Sequence, residues 1–110
     1  MRHRIEFLNP VFNSGTNVTI RKGPKWSLEA KVGDEVLLVE TGVIPYIGEE
    51  VIGVITDIKL KSFSDITIGE LEKEHDPSCR QIYGLIKAMR AAYGDISMDN
   101  YVTILQFEVI

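Results

Sequence analysis

DPSCRQIYGLIKAMRAAYGDISMDNYVTILQFEVI, residues 76–110, reads as a helix followed by a strand, and that pair decides the fold. Asp76-Pro77 is an N-cap with proline at the first helical position, where no amide donor is needed and a fixed φ helps. Ile82, Leu85, Ile86, Met89 and Tyr93 fall at i, i+3, i+4, i+7 and i+11, one apolar stripe for a core. Arg80, Lys87 and Arg90 take the other face, and Gly94 closes the helix. From Tyr101 to Ile110 the chain reads as a strand. Val102, Thr103, Ile104 and Leu105 are apolar or β-branched without alternation, which places this strand in the centre of a sheet.

The upstream chain supplies the partners. Arg4-Ile5-Glu6-Phe7 is a short first strand, broken by Asn9-Pro10, and Val11-Phe12-Asn13-Ser14-Gly15 reads as a helical turn. Residues 18–21 form a second strand. Lys31-Val32-Gly33-Asp34 is a turn feeding Glu35-Val36-Leu37-Leu38-Val39, an apolar run expected to be buried on both faces. A loop is expected from Thr41 to Ile47. Residues 50–61 alternate, with Ile52, Val54, Ile58 and Leu60 one way and Asp57, Lys59 and Lys61 the other. Gly53 inside that run signals a bulge or a close backbone approach. Residues 68–74 read as a short helix. Five to six strands with one main helix near the C-terminus make an α+β fold, a small antiparallel β-barrel on which the helix packs, in one domain spanning 1–110.

Composition narrows the function classes. At 110 residues, with 45% hydrophobic and 25% charged residues, the chain has the make-up of a globular domain with one core. No apolar run is long enough for a bilayer, and Met1-Arg2-His3-Arg4-Ile5-Glu6 shows no signal-peptide pattern, so a cytoplasmic location is expected. The single cysteine, Cys79, fits a reducing compartment. Net charge is −4, but unevenly placed. Residues 1–31 hold six Lys/Arg against Glu6 and Glu29 (+4), and residues 32–110 hold six against fourteen acids (−8). A local anion-attracting face is compatible with that acidic total.

Most of that positive charge surrounds NVTIRKGPKW, residues 17–26. Arg21 offers a planar fork for phosphate or a carbonyl, and the competing use is a salt bridge across the surface. Lys22, Gly23 and Lys25 read as a cationic lip on the same cleft. Trp26 offers a ring for base stacking, or serves as a core or rim residue. RNA or a nucleotide is the partner this pattern suggests. His3, His75 and Cys79 are the only soft ligands, and His75 and Cys79 do not share a regular helical face, so no metal site is expected. Cys79 near a helix start is a candidate for a lowered thiol pKa, with a purely structural role as the alternative. No phosphate-binding glycine loop exists, and no cofactor is implied.

The order of elements resembles the ASCH domain, a PUA-like β-barrel family. The resemblance rests on GTNVTIR (residues 15–21), KVGDEV (31–36), IGVI (52–55), SDIT (64–67), the acidic segment 70–74, the helix ending at Tyr93-Gly94, and ILQF (104–107). It implies an RNA- or nucleotide-binding module with a cationic cleft beside the barrel. One bacterial branch of similar size, the N4-acetylcytidine amidohydrolases, implies a metal-independent alternative that uses a lysine, a threonine and a glutamate. Carried over residue by residue, the threonine is Thr19, with Arg21 in place, and the glutamate falls on Glu74 or Glu72. The lysine position, five residues before Arg21, holds Thr16; Lys22 and Lys25 are the lysines available from the loop. A third option is a protein-interaction domain using its acidic face.

Overall fold

A computed structural model describes residues 2–7, 10–40 and 51–110. The loop expected over 41–47 and the Asn9 half of the Asn9-Pro10 break lie outside the described residues. Five strands, β1 (Arg2–Phe7), β2 (Thr16–Lys22), β3 (Glu35–Glu40), β4 (Val51–Ser62) and β5 (Tyr101–Val109), form one sheet in the order β1-β3-β4-β5-β2. As the unbroken apolar run required, β5 is central, antiparallel to β4 on one side and to β2 on the other. β1 runs parallel to β3, so the sheet is mixed, not wholly antiparallel.

The sheet is also open. A barrel would pair β1 with the free edge of β2, but that edge is already taken. The Val18 N–H donates to the Lys73 carbonyl at 2.8 Å and the His75 N–H donates to the Val18 carbonyl at 2.9 Å. These bonds make a single parallel bridge between Val18 and Glu74. Backbone polar groups beside a core need partners, and this segment supplies them in place of a sixth strand. The two sheet edges meet through a side chain instead: Arg21 Nη2 donates to the Glu6 carbonyl at 2.8 Å.

The described residues also form three α-helices, α1 (Lys25–Glu29), α2 (Ile68–Glu72) and α3 (Ile82–Tyr93), and two short 3₁₀ turns, Phe63–Asp65 and Pro77–Cys79. The main helix, α3, is followed by β5, so the strand and not the helix holds the C-terminal position. Asp76-Pro77 does not start α3. It starts a 3₁₀ turn, Pro77–Cys79, in which the Asp76 side chain accepts from the Ser78 N–H, and α3 begins five residues after Pro77, at Ile82, with Gln81 as its cap. Gly84 explains the spacing: a Cβ there would sit 1.7 Å from the Ser78 carbonyl oxygen, so the turn packs directly on the helix backbone. The lip expected after Gly23 is partly helical, because Pro24 caps α1. Residues 11–15, expected as a helical turn, form no helix. The fully buried Asn17 holds them, accepting from the Asn13 N–H and donating to the Asn13 and Gly15 carbonyls.

Both faces of the sheet are covered. Val18, Ile20, Val102 and Ile104 pack with Leu71, Cys79, Leu85 and Met89 on one face. Ile5, Phe7, Val36, Leu38, Ile55, Leu105 and Phe107 pack on the other. The alternation read along β4 changes phase at Thr56, where a register shift between Ile55 and Asp57 puts Ile55 opposite Phe107 and Ile58 opposite Leu105, on one side. Gly53 is not the bulge. It is the close approach, since a Cβ there would meet the Glu108 carbonyl oxygen at 3.1 Å and Val36 and Phe107 at 3.3 Å.

Candidate functional site: a cleft at the seam of the open sheet

Where the edges of β1 and β2 fail to pair, a cleft of about 110 Å³ opens beneath α3. Its lining includes Glu6 and Phe7 from β1, Thr19 and Arg21 from β2, Glu74, His75 and Asp76 from the bridging segment, and Tyr93 from α3. Thr19, Arg21 and Glu74 therefore share one cavity, although fifty-three residues separate Arg21 from Glu74 (74 − 21).

Arg21 is held on every side. Its Nε donates to Thr19 Oγ1 at 3.0 Å and its Nη2 to the Glu6 carbonyl at 2.8 Å. The guanidinium lies 4.9 Å from the centre of the Phe7 ring and hydrogen-bonds Tyr93. Burial pushes its pKa down, while Tyr93 and Glu74 push it back up. An arginine retains its charge at neutral pH under such opposing influences. A guanidinium carries five N–H donors, so these contacts fix its plane and leave capacity for a ligand.

Glu74 was expected on a charge-rich helix with Glu70 and Glu72. Instead it lies beyond the end of α2, in extended backbone, and is 2% exposed. Its Oε1 contacts His75 Nδ1 and accepts from the Asp76 N–H at 3.4 Å. His75 Nδ1 also lies 3.2 Å from the Val18 carbonyl. His75 Nδ1 thus faces two oxygens, one from the Glu74 carboxyl and one from the Val18 carbonyl. Arg80 fixes the segment from behind, with Nε donating to the Glu74 carbonyl at 3.0 Å and Nη2 to Asn13 Oδ1 at 3.2 Å. Cys79 also borders the cleft, but burial, then Glu74 and Asp76, push its thiol up to about 12, the opposite of an activated nucleophile.

The rest of the basic segment lies outside this lining. Lys22 Nζ donates to the Asp95 carbonyl at 3.3 Å, just beyond the end of α3. Gly23 is clamped to β5: its N–H donates to the Tyr101 carbonyl, and its carbonyl accepts from Thr103 Oγ1 at 2.6 Å. Its φ of 84° is one that glycine adopts without strain. Trp26 is half-buried against the second core, edge-on to His3, with Lys25 Nζ 5.5 Å from its ring centre. Thr16 pairs with Glu108 at the start of β2, and Glu72 borders a different cleft. The lining of the seam cleft includes no lysine and sets Glu6, Glu74 and Asp76 against Arg21, so the cationic cleft of the sequence reading is an arginine facing carboxylates. Sequence reasoning missed the rest of this lining, Tyr93 and His75 among it. Tyr93 was read as the last residue of the core stripe, and His75 was weighed only as a metal ligand. No group of three His, Cys, Asp or Glu side chains able to hold a metal occurs among the described residues, and none of the described helices is long and apolar enough to cross a membrane.

The fold is that of the ASCH domain. Superposed on the ASCH-domain structure from Lactobacillus crispatus, the chain aligns over 98% of its length and 79% of that chain, with a TM-score of 0.71 and 12% identity. It is also similar to the hypothetical protein PH0355 over the whole of both chains, with a TM-score of 0.63 and 15% identity. A further similarity, to protein EF3133 from Enterococcus faecalis, covers 87% of this chain and 61% of that one, with a TM-score of 0.56 and 10% identity. No family model and no curated protein matches the sequence.

Proposed function

We propose that this chain is an RNA- or nucleotide-binding module that seats a single base in the seam cleft, its polar edge between Arg21 and Glu74. The observation that supports this reading is the convergence of Thr19 and Arg21 on an edge strand with Glu74 from far along the chain. A fixed guanidinium beside a carboxylate matches a planar ring edge that carries an acceptor next to a donor. The likeness of the fold to an ASCH domain favours the same class. Recognition then rests on the base edge, with Lys22 and Lys25 outside the cleft contributing only one or two phosphate contacts. The amidohydrolase reading needs a lysine beside Thr19, and the lining offers none.

Fluorescence anisotropy with short single-stranded oligoribonucleotides tests the reading. Binding is expected at low salt, with log K falling against log salt with a slope of about −1.4 for two single-strand phosphate contacts. Absence of binding at low salt to any single-stranded or structured RNA overturns it. Release of cytidine from N4-acetylcytidine would replace it with the enzymatic reading.

A further inference from the structure

A second cleft, of about 400 Å³, lies on the α2 side of the sheet. Val18 and Ile104 form an apolar part of its wall, and Asp57, Lys59, Thr67, Glu70, Lys73 and Gln106 supply its polar groups. Glu70 is 9% exposed, and its two oxygens are treated unequally. Oε1 accepts from the Thr67 N–H at 2.8 Å, from Thr67 Oγ1 at 3.1 Å and from Lys61 Nζ at 3.1 Å. Oε2 is buried and has no hydrogen-bond partner among the described residues. The nearest cation, Lys59 Nζ, sits 3.7 Å from Oε2 and also 3.7 Å from Asp57 Oδ2, beyond hydrogen-bond length from both.

A buried carboxylate oxygen without a donor is uncommon and marks a place where an N–H from outside would be favoured. Three residues along the chain, at the C-cap of α2, Lys73 is exposed and pairs with no carboxylate among the described residues. The lining of the cleft thus includes an acceptor, apolar side chains and a cation. When an ammonium takes Oε2, Lys59 retains Asp57 as its partner. We propose that this second cleft binds a small aliphatic amino acid, with the ligand ammonium on Glu70 Oε2 and its carboxylate on Lys73 Nζ. This inference is independent of the seam cleft and of RNA.

Three probes sharing a four-carbon chain test it: 4-aminobutyrate, butylamine and butyrate, titrated into the full chain at neutral pH while the backbone amides of residues 57–59, 67–73 and 104–106 are followed by NMR. The zwitterion is expected to half-saturate these shifts at a concentration at least tenfold below either singly charged probe. Lys73→Gln, an exposed change that leaves the fold intact, removes the advantage over butylamine. Glu70→Gln, which keeps the Oε1 acceptor of the capping box, removes the advantage over butyrate. No shifts with 4-aminobutyrate, equal half-saturation for all three probes, or an unchanged advantage in Lys73→Gln each overturn the proposal.

Discussion

Gly84→Ala offers the sharpest quantitative test of how α3 is placed, because the added methyl has nowhere to go. Its Cβ would lie 1.7 Å from the Ser78 oxygen and 2.9 Å from the Ser78 carbon, both backbone atoms that cannot rotate away. The helix or the 3₁₀ turn must retreat by more than an ångström, and overpacking of this kind costs up to about 3 kcal/mol. Alanine recovers about 1 kcal/mol through its better helix propensity. The net loss is about 2 kcal/mol, which lowers the melting temperature by roughly 8 °C in a chain of this size. Gly69→Ala in α2 is the matched control. There the nearest atom, Thr67 Oγ1, is 3.9 Å from the new Cβ, so the propensity gain stands alone and stability rises by up to about 1 kcal/mol. Thermal and urea denaturation of both variants checks the pair. A Gly84→Ala protein as stable as the wild type refutes the close packing of the turn on α3, and with it the wall of the seam cleft.

Other expectations follow from the polar groups. Burial alone would raise the Glu70 pKa, but Thr67 and Lys61 outweigh it and hold the carboxylate below its usual range. The folded value lies below the unfolded one, so its stabilisation is fully present above about pH 4.3 and is lost as pH falls through the folded value. Urea titrations of wild type and Glu70→Gln between pH 6 and pH 2.5 should converge at the acid end; curves that stay parallel contradict the assignment. Cys79, 5% exposed and with its thiol pushed up to about 12, should resist iodoacetamide at pH 8 in the native protein and react at once in denaturant. Arg21→Lys keeps the charge but loses the fork that reaches both Thr19 and Glu6. It should cost about 1–3 kcal/mol in a denaturation curve and weaken RNA binding at least tenfold.

The parts of the fold legible in the sequence were those set by local pattern. Unbroken apolar and β-branched residues placed β5 in the centre, Lys31-Val32-Gly33-Asp34 gave its turn, and the short helix read over residues 68–74 is present as α2, ending two residues sooner. Apart from residues 11–15, which the nearby Asn17 holds out of a helical turn, the misreadings were non-local. Asp76-Pro77 is as good a start for a 3₁₀ turn as for a helix, and only Gly84 against Ser78 decides between them. Nothing local tells β1 to run parallel to β3, or tells residues 73–75 to cap the edge of β2 and keep the sheet open. The extra residue at Thr56 moved Ile55 into the core, against the simple alternation. In the site, Arg21 was legible from the charge of its segment, and Thr19 only through the family resemblance; two residues apart on a strand, they share a side. Glu74 was named, but for a helix face rather than the buried edge it occupies. Of the basic segment, Lys22 reaches the chain just past α3, Gly23 is clamped to β5, and Lys25 lies over Trp26, which packs against the second core.

The most direct test of the account is location. Backbone amides of the full chain, followed by NMR during titration with a short single-stranded RNA, should shift at residues 19–21, 74–76 and 93, around Arg21 and Glu74. Shifts confined to residues 22–26, or to the α2 cleft around Glu70, would place recognition elsewhere and contradict a base seated at the seam.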